Sequence, residues 1–402
     1  FMHQGEAQLR AITKAKEAGV DIVPVWNKSN REHGIVKSHP NDTRKEADEA
    51  VKTLSWNDSY FVDADHINLS NVDDFIDSSN FFTLDVADAI GKPADANLTQ
   101  QFLSHTSKYI GELNIPGIAK PFQITRALLE DIASNYLFAV QQAFTIYQHI
   151  AGRKVAGNFV AEVSMDEVDQ PQTPVELLFI LCAIGMLGLP AQTIAPKFSG
   201  RFNKGVDYVG DLKLFAQEFE EDILVIDFAI KEFCLPSSLK LSVHSGSDKF
   251  SLYPIIKGII DKYDKGLHLK TAGTTWLEEV IGLALAGGEA LKAAKEIYTK
   301  SLDRFDELCA PYSTVIDIDP NKLPSKGEVE GWVGERYANA LRHIPNHPHY
   351  NPHLRQLIHV GYKVASEMGE RFTDLLKQHK DIVGQQVAEN IYQRHICRLF
   401  NL

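Results

Sequence analysis

The sequence predicts an α/β protein built as a TIM-type (β/α)8 barrel whose first strand is missing, with extra helices. Three observations carry that reading. Short β-branched or aromatic runs bounded by turn residues alternate with amphipathic helical stretches every roughly 20–50 residues, the rhythm of parallel βα units. Each run ends in polar residues of a catalytic type, as a single ring of carboxyl-end loops requires. Seven such runs are present where closure takes eight, and the chain opens at Phe1-Met2-His3-Gln4-Gly5 directly into a helix. It reads as a fragment with room for one strand upstream. An open doubly wound sheet is the rival and tolerates seven strands.

In order, the strand signals are Asp21–Lys28, Ser59–Ile67, Phe81–Ala87, Asn158–Met165, Thr193–Phe198, Leu239–Gly246 and Gly266–Gly273. Helical periodicity marks Thr43–Trp56, Thr173–Leu187, Asp211–Phe233 and Thr275–Thr299 between them. The long interval Gly91–Gly157 reads as a helical insertion on a βα loop. The barrel is expected over 1–312. Residues 313–402, where strand signals fade, are expected to form a helical extension packed on it. Three or four helices are expected over 326–402, with the histidine-rich loop Arg342–His353 read as a surface loop that could cap the barrel mouth.

Composition narrows the function. The 402 residues carry 41 basic and 53 acidic side chains, a formal charge of −12. That balance argues against nucleic acid, whose phosphates need a clustered cationic face. No apolar run is long enough to span a bilayer, and no signal peptide is visible. Four scattered cysteines without a CxxC read as reduced thiols, and hence as a cytoplasmic protein. Oligomeric state is left open, a homo-oligomer included.

Alternation along each strand assigns faces. Ser242 and His244 point inward, as do His268 and Lys270, Glu162 and Ser164, Thr83 and Asp85, and Lys197. Asp63 and Asp65 share a face, with His66 next at the strand end. Buried charge is unfavourable unless paired or bound to metal, so this convergence from several strands points to an active site. His66, Glu162, His244 and His268 are suitable ligands for a divalent ion such as Zn²⁺, Mn²⁺, Ni²⁺ or Mg²⁺. Asp65, Asp166 and Lys270 are candidates for acid–base chemistry. The loop His244–Lys249 is expected to hold an anion, a carboxylate or phosphate, by its amides, Ser247 and Lys249. Lys270–Thr275 opens a helix, a second anion seat. Arg201 sits on the glycine-rich loop 197–211, and Lys28, Asp85 and Lys197 complete the substrate-binding candidates. No dinucleotide or P-loop fingerprint occurs, so NAD is not expected.

FVDADHI (61–67), HSGSDKFSLYP (244–254), LHLKTAGTTWLEE (267–279) and WNKSNREH (26–33) resemble the tagaturonate epimerase family of bacterial hexuronate catabolism. The likeness runs through most of the chain, including the strand around Asn158–Asp169. It implies a (β/α)8 barrel, a divalent metal, a keto-hexuronate substrate and reversible C4 epimerisation between D-tagaturonate and D-fructuronate. Family members begin with a strand containing Gly-Asp-Arg just upstream of the position matching Phe1, a piece absent here.

C4 of a 2-keto-hexuronate is not adjacent to the ketone, so its proton is not acidified. Transient oxidation would need a nicotinamide. Retro-aldol cleavage of C3–C4, rotation of the aldehyde and re-addition needs a Lewis acid and an acid–base group, and fits the residues better. The alternatives are a class II-type aldolase, a sugar isomerase, and a non-catalytic sugar-acid binding protein.

Overall fold

Seven short strands pair side by side in the order in which they occur along the chain, all parallel. They are β1 (Val25–Ser29), β2 (Phe61–Ile67), β3 (Phe81–Asp85), β4 (Val160–Ser164), β5 (Thr193–Ala195), β6 (Lys240–His244) and β7 (His268–Lys270). This computed structural model describes residues 1–402 except 2, 156, 272 and 273. The strand order has no reversal, so the sheet lacks the switch point of a doubly wound fold.

The sheet is strongly curled. Laid flat, five spacings of about 4.8 Å would hold β2 and β7 roughly 24 Å apart. Instead Lys270 Nζ on β7 lies 2.6 Å from Asp65 Oδ1 and 2.9 Å from Asp63 Oδ2 on β2. The concave side encloses these polar groups. The convex side presents Val62, Ala64, Phe82, Leu84, Ala161, Val163, Ile194, Leu241 and Val243, all buried under helices. Each large apolar side chain so buried stabilises by about 1.5–3 kcal/mol.

The covering helices follow from local signals. Pro174–Leu187 starts at a Thr173–Glu176 capping box with Pro174 in its first position, and stops at the left-handed Gly188. Leu212–Glu232 is capped by Asp211, whose carboxylate accepts from the Lys213 and Leu214 amides. The expected single helix Thr275–Thr299 is two, Thr274–Ala286 and Gly288–Asp303. Gly287 and Gly288 both adopt positive φ (73° and 50°) and break it. Pro40 opens the helix expected over Thr43–Trp56 early, so it spans Pro40–Thr53. The interval 91–157 holds more than helices: an antiparallel ribbon, Gly111–Leu113 with Phe122–Ile124, precedes the long helix Arg126–Ala151.

A second apolar core runs from Trp276 to Val383. Helices Thr274–Ala286 and Lys380–Glu389 approach closely at Gly282, where a Cβ would lie 2.6 Å from Val383 Cα. Beyond residue 326 the described residues hold seven short α-helices and a π-helical turn, more segments than expected. Asp248, on the loop after β6, ties this region to the sheet. It accepts from Arg355 Nη2 (2.8 Å) and pairs with His343 Nδ1 (3.1 Å) and His395 Nε2 (3.0 Å), all buried. His343 of the histidine-rich loop is thus a buried partner of Asp248.

Candidate active site

Strand register stacks the inward residues in two layers. In the deeper one, Asp63, Thr83, Glu162, Thr193, Ser242 and His268 come from β2 through β7, with Thr83, Glu162 and Thr193 in direct register. Glu162 is its hub. Oε1 accepts from Thr83 Oγ1 (3.2 Å) and meets His244 Nε2 at 2.8 Å. Oε2 accepts from Thr193 Oγ1 (2.8 Å) and meets His268 Nδ1 at 2.8 Å. In the outer layer Asp65, Asp85, Ser164, His244 and Lys270 ring the carboxyl ends of the strands.

His66 joins that layer through a local irregularity. Strict alternation would turn it away from Asp65. The β2–β3 register shifts between Ala64 and Ile67, and His66 takes a left-handed φ of 51°. This bulge brings His66 Nδ1 to 3.5 Å from Asp85 Oδ2 and its Nε2 to 3.8 Å from Asp65 Oδ1.

Charge in this space is dense and mutual. Burial disfavours the Lys270 ammonium, but Asp63, Asp65 and Glu162 outweigh that and hold it charged. Burial alone would raise Asp65; Lys270 and His66 pull it down to about 2. Asp63, deeper and crowded by the other carboxylates, is raised instead, mainly by burial. Burial opposes protonation of His66 and His244, yet Asp65 and Asp85 raise the first to about 9, and Asp166 and Glu162 raise the second to about 10. The imidazoles face more negative charge than Lys270 neutralises.

A divalent ion fits that arrangement. His66, Asp166 and His244 each offer a ligand atom, all within 4.8 Å of one another. Nδ1 of His66 and Nδ1 of His244 are buried without a hydrogen-bond partner among the described residues, and Asp166 Oδ1 is 3.1 Å from the latter. Glu162 grips the other nitrogen of His244, the carboxylate–histidine pattern that orients a ligating ring. A second group, His66, Asp85 and Glu167, lies alongside. Expected ligands Glu162 and His268 instead bond each other below this group, with both Glu162 oxygens engaged. Asp166, expected as an acid–base residue, stands among the ligand atoms, and Ser164 Oγ donates to it.

The other candidates are dispersed. Lys28 shares the convex face with Trp26, and its Nζ donates to Phe1 O. Lys197 lies past the end of β5, its backbone paired with Gln172. Arg201 is exposed and turned to Ile316 O and Asp317. Lys249 is fully buried; its Nζ donates to Asn203 O, Val206 O and Ser247 Oγ, three bonds for three protons. Ser247 Oγ also accepts from Gly205 N. Both residues therefore bind one loop to another. Ala272, Gly273 and the Thr274 side chain lie outside the described residues, and with them the anion seat expected at that helix start. Thr193 and Glu167 escaped the sequence reading: the first looks like an ordinary strand threonine, the second lies beyond a strand end.

A curled parallel α/β sheet with acids and bases gathered at its carboxyl ends is the arrangement of an α/β enzyme. The chain belongs to the tagaturonate epimerase family, whose model matches residues 5–399, and is an isomerase. It is 29% identical over 409 aligned positions to the tagaturonate/fructuronate epimerase of Thermotoga maritima, covering 97% of this chain and 77% of that protein. Crystal structures of the fructuronate-tagaturonate epimerase of Cohnella laeviribosi share the fold. The form with one glycerol superposes with a TM-score of 0.81 at 21% identity, over 100% of this chain and 80% of the other. The native form gives 0.79 at 20% identity, over 99% and 80%. Among the described residues no helix is long and apolar enough to cross a membrane.

Proposed function

We propose that the protein interconverts D-tagaturonate and D-fructuronate by inverting C4 through reversible cleavage of the C3–C4 bond. Family membership and the Thermotoga maritima relative's activity support the substrate pair. The observation that carries the chemistry is the Asp65–Lys270 pair beside His66, Asp166 and His244 at one end of the curled sheet. The same reading takes that sheet as the wall of a (β/α)8-type barrel, as its unreversed strand order supports.

A divalent ion held by His66, Asp166 and His244 would supply Lewis acidity to the ketone half of the substrate. Asp65 takes the O4 proton as C3–C4 breaks. The bonding pair stays on C3 as an enediolate, and C4 becomes the aldehyde of a three-carbon acid. That aldehyde turns about C4–C5, C3 attacks its other face, and Asp65 returns the proton to O4. Lys270, bonded to Asp65 and to Thr83 Oγ1 (2.7 Å), keeps the carboxylate ionised and aimed. Glu162 fixes the His244 ring.

Metal analysis joined to turnover tests this. Purified protein is expected to hold about one divalent ion per chain, to stop converting tagaturonate on chelation, and to recover on re-addition. His244→Ala is expected to lose the ion and the activity. Full metal content and turnover in that variant contradict the assignment, and net release of three-carbon products would mark an aldolase.

A further inference from the structure

A cluster of cationic side chains gathers beyond the carboxyl end of the same sheet, and the chemistry above makes no use of it. It surrounds His359, on the helix Pro352–Val360. Both ring nitrogens of His359 are buried, and neither has a partner among the described residues. The side-chain oxygen of Asn203, a residue only 2% exposed, is likewise unpartnered. Buried polar atoms left unsatisfied are unfavourable unless something completes them. One turn before His359, on the same helix face, Arg355 Nε donates to Gly205 O and clamps the loop bearing Asn203 and Lys204 against this helix.

The charges acting on His359 are all positive. Burial, then Lys204, Arg355, Lys249 and Arg31, push its pKa down to about 3. Two of these cations are committed: Arg355 to Asp248 and Leu341 O, Lys249 to its three oxygens. The other two are available. Among the described residues neither Lys204 nor Arg31 pairs with a carboxylate, and Arg31 rests 5.1 Å over the Tyr312 ring. In a chain of net charge −12 this local excess of cations is conspicuous. Continuity with the active site is direct. Gly205 N donates to Ser247 Oγ, three residues past His244 and so within about 11 Å of chain. Arg31 lies two residues beyond the end of β1.

We propose that Lys204, Arg31 and His359 form the seat for the carboxylate of the sugar acid. The inference rests on the C3–C4 cleavage reading and deepens it. The carboxylate belongs to the three-carbon fragment that must rotate. Anchoring C6 leaves the C4–C5 bond free to turn while keeping the aldehyde from escaping. A neutral imidazole N–H and two cations suit a carboxylate, and binding it would give the His359 N–H its acceptor.

The test uses Lys204→Met, Lys204→Arg and Arg31→Met, at half-buried and exposed positions, each checked for a native circular dichroism spectrum. With tagaturonate, Lys204→Met is expected to raise KM by about 10- to 100-fold, and Lys204→Arg to restore most of it. Arg31→Met is expected to act in the same direction more weakly. Trapping of free three-carbon aldehyde acid should increase per turnover in Lys204→Met. Unchanged KM and trapping in both methionine variants overturn the proposal. If wild-type protein fails to convert tagaturonate, the functional reading fails separately, and calorimetric titration decides the seat. D-galacturonate binding wild type but not Lys204→Met, with D-galactose binding neither, upholds an anion seat; galacturonate binding both proteins alike overturns it.

Discussion

Glu162→Gln isolates what the buried hub does. Glutamine keeps the shape of the side chain but leaves one oxygen where two accept, and puts an NH2 against a neighbouring donor. In the native site the two oxygens serve His244 Nε2 and His268 Nδ1, each at 2.8 Å, and the Thr83 and Thr193 hydroxyls. Losing one charge-assisted bond is worth about 1.5–3 kcal/mol. At about 1.4 kcal/mol per factor of ten, that is roughly 10- to 150-fold if it falls wholly on the oriented His244. Changes behind a ligating histidine show the same range, about 10–100-fold. The assay is kcat on tagaturonate alongside metal content of the purified variant, with urea unfolding as a control for folding. Both kcat and metal content within about threefold of wild type would refute the orienting role of Glu162.

Two further outcomes follow from buried carboxylates. Asp65→Asn keeps the strand and the contact to Lys270 but removes the base, so turnover on tagaturonate should fall by about 10²–10⁴; a loss under about threefold, measured by NMR, makes Asp65 structural. Asp222, on Leu212–Glu232, is 2% exposed with Oδ1 unpartnered among the described residues, and burial, then Glu218 and Glu221, raise its pKa well above the ordinary value. The folded state then keeps a proton that the unfolded chain releases above about pH 4, so Asp222 lowers stability as pH rises through that range. Asp222→Asn should therefore stabilise at pH 8 by about 1–3 kcal/mol, with the gain shrinking toward pH 4; urea midpoints at the two pH values check both the sign and the trend.

Much of the framework is legible because alternation and turn chemistry are local. Six of the seven strands lie wholly inside their expected segments and β1 runs one residue past its own, to Ser29; the inward assignment of Glu162, His244 and Lys270 follows from period two alone. The missing pieces depend on information that a window of sequence does not hold. His66 reaches the site only through a bulge, which depends on how β2 pairs with β3. Lys249 looks like a free cation beside a loop of small residues, but Asn203 and Val206, more than 40 positions upstream, use its protons. Lys28 carries the same charge as Lys270 and also lies near the end of a strand, yet one residue of phase puts it on the convex face with Trp26. His359 gives no signal in sequence, because its surroundings come from two separate loops and the C-terminal helices.

The central claim is that C4 is inverted by opening the C3–C4 bond and not the C4–H bond. Proton NMR of the reaction in D2O tests it most directly, with D-tagaturonate, the metal-loaded protein and no nicotinamide added. Fructuronate is expected to accumulate to equilibrium with its C4 proton fully retained. Deuterium at C4 of the product, or no fructuronate under these conditions, would contradict it.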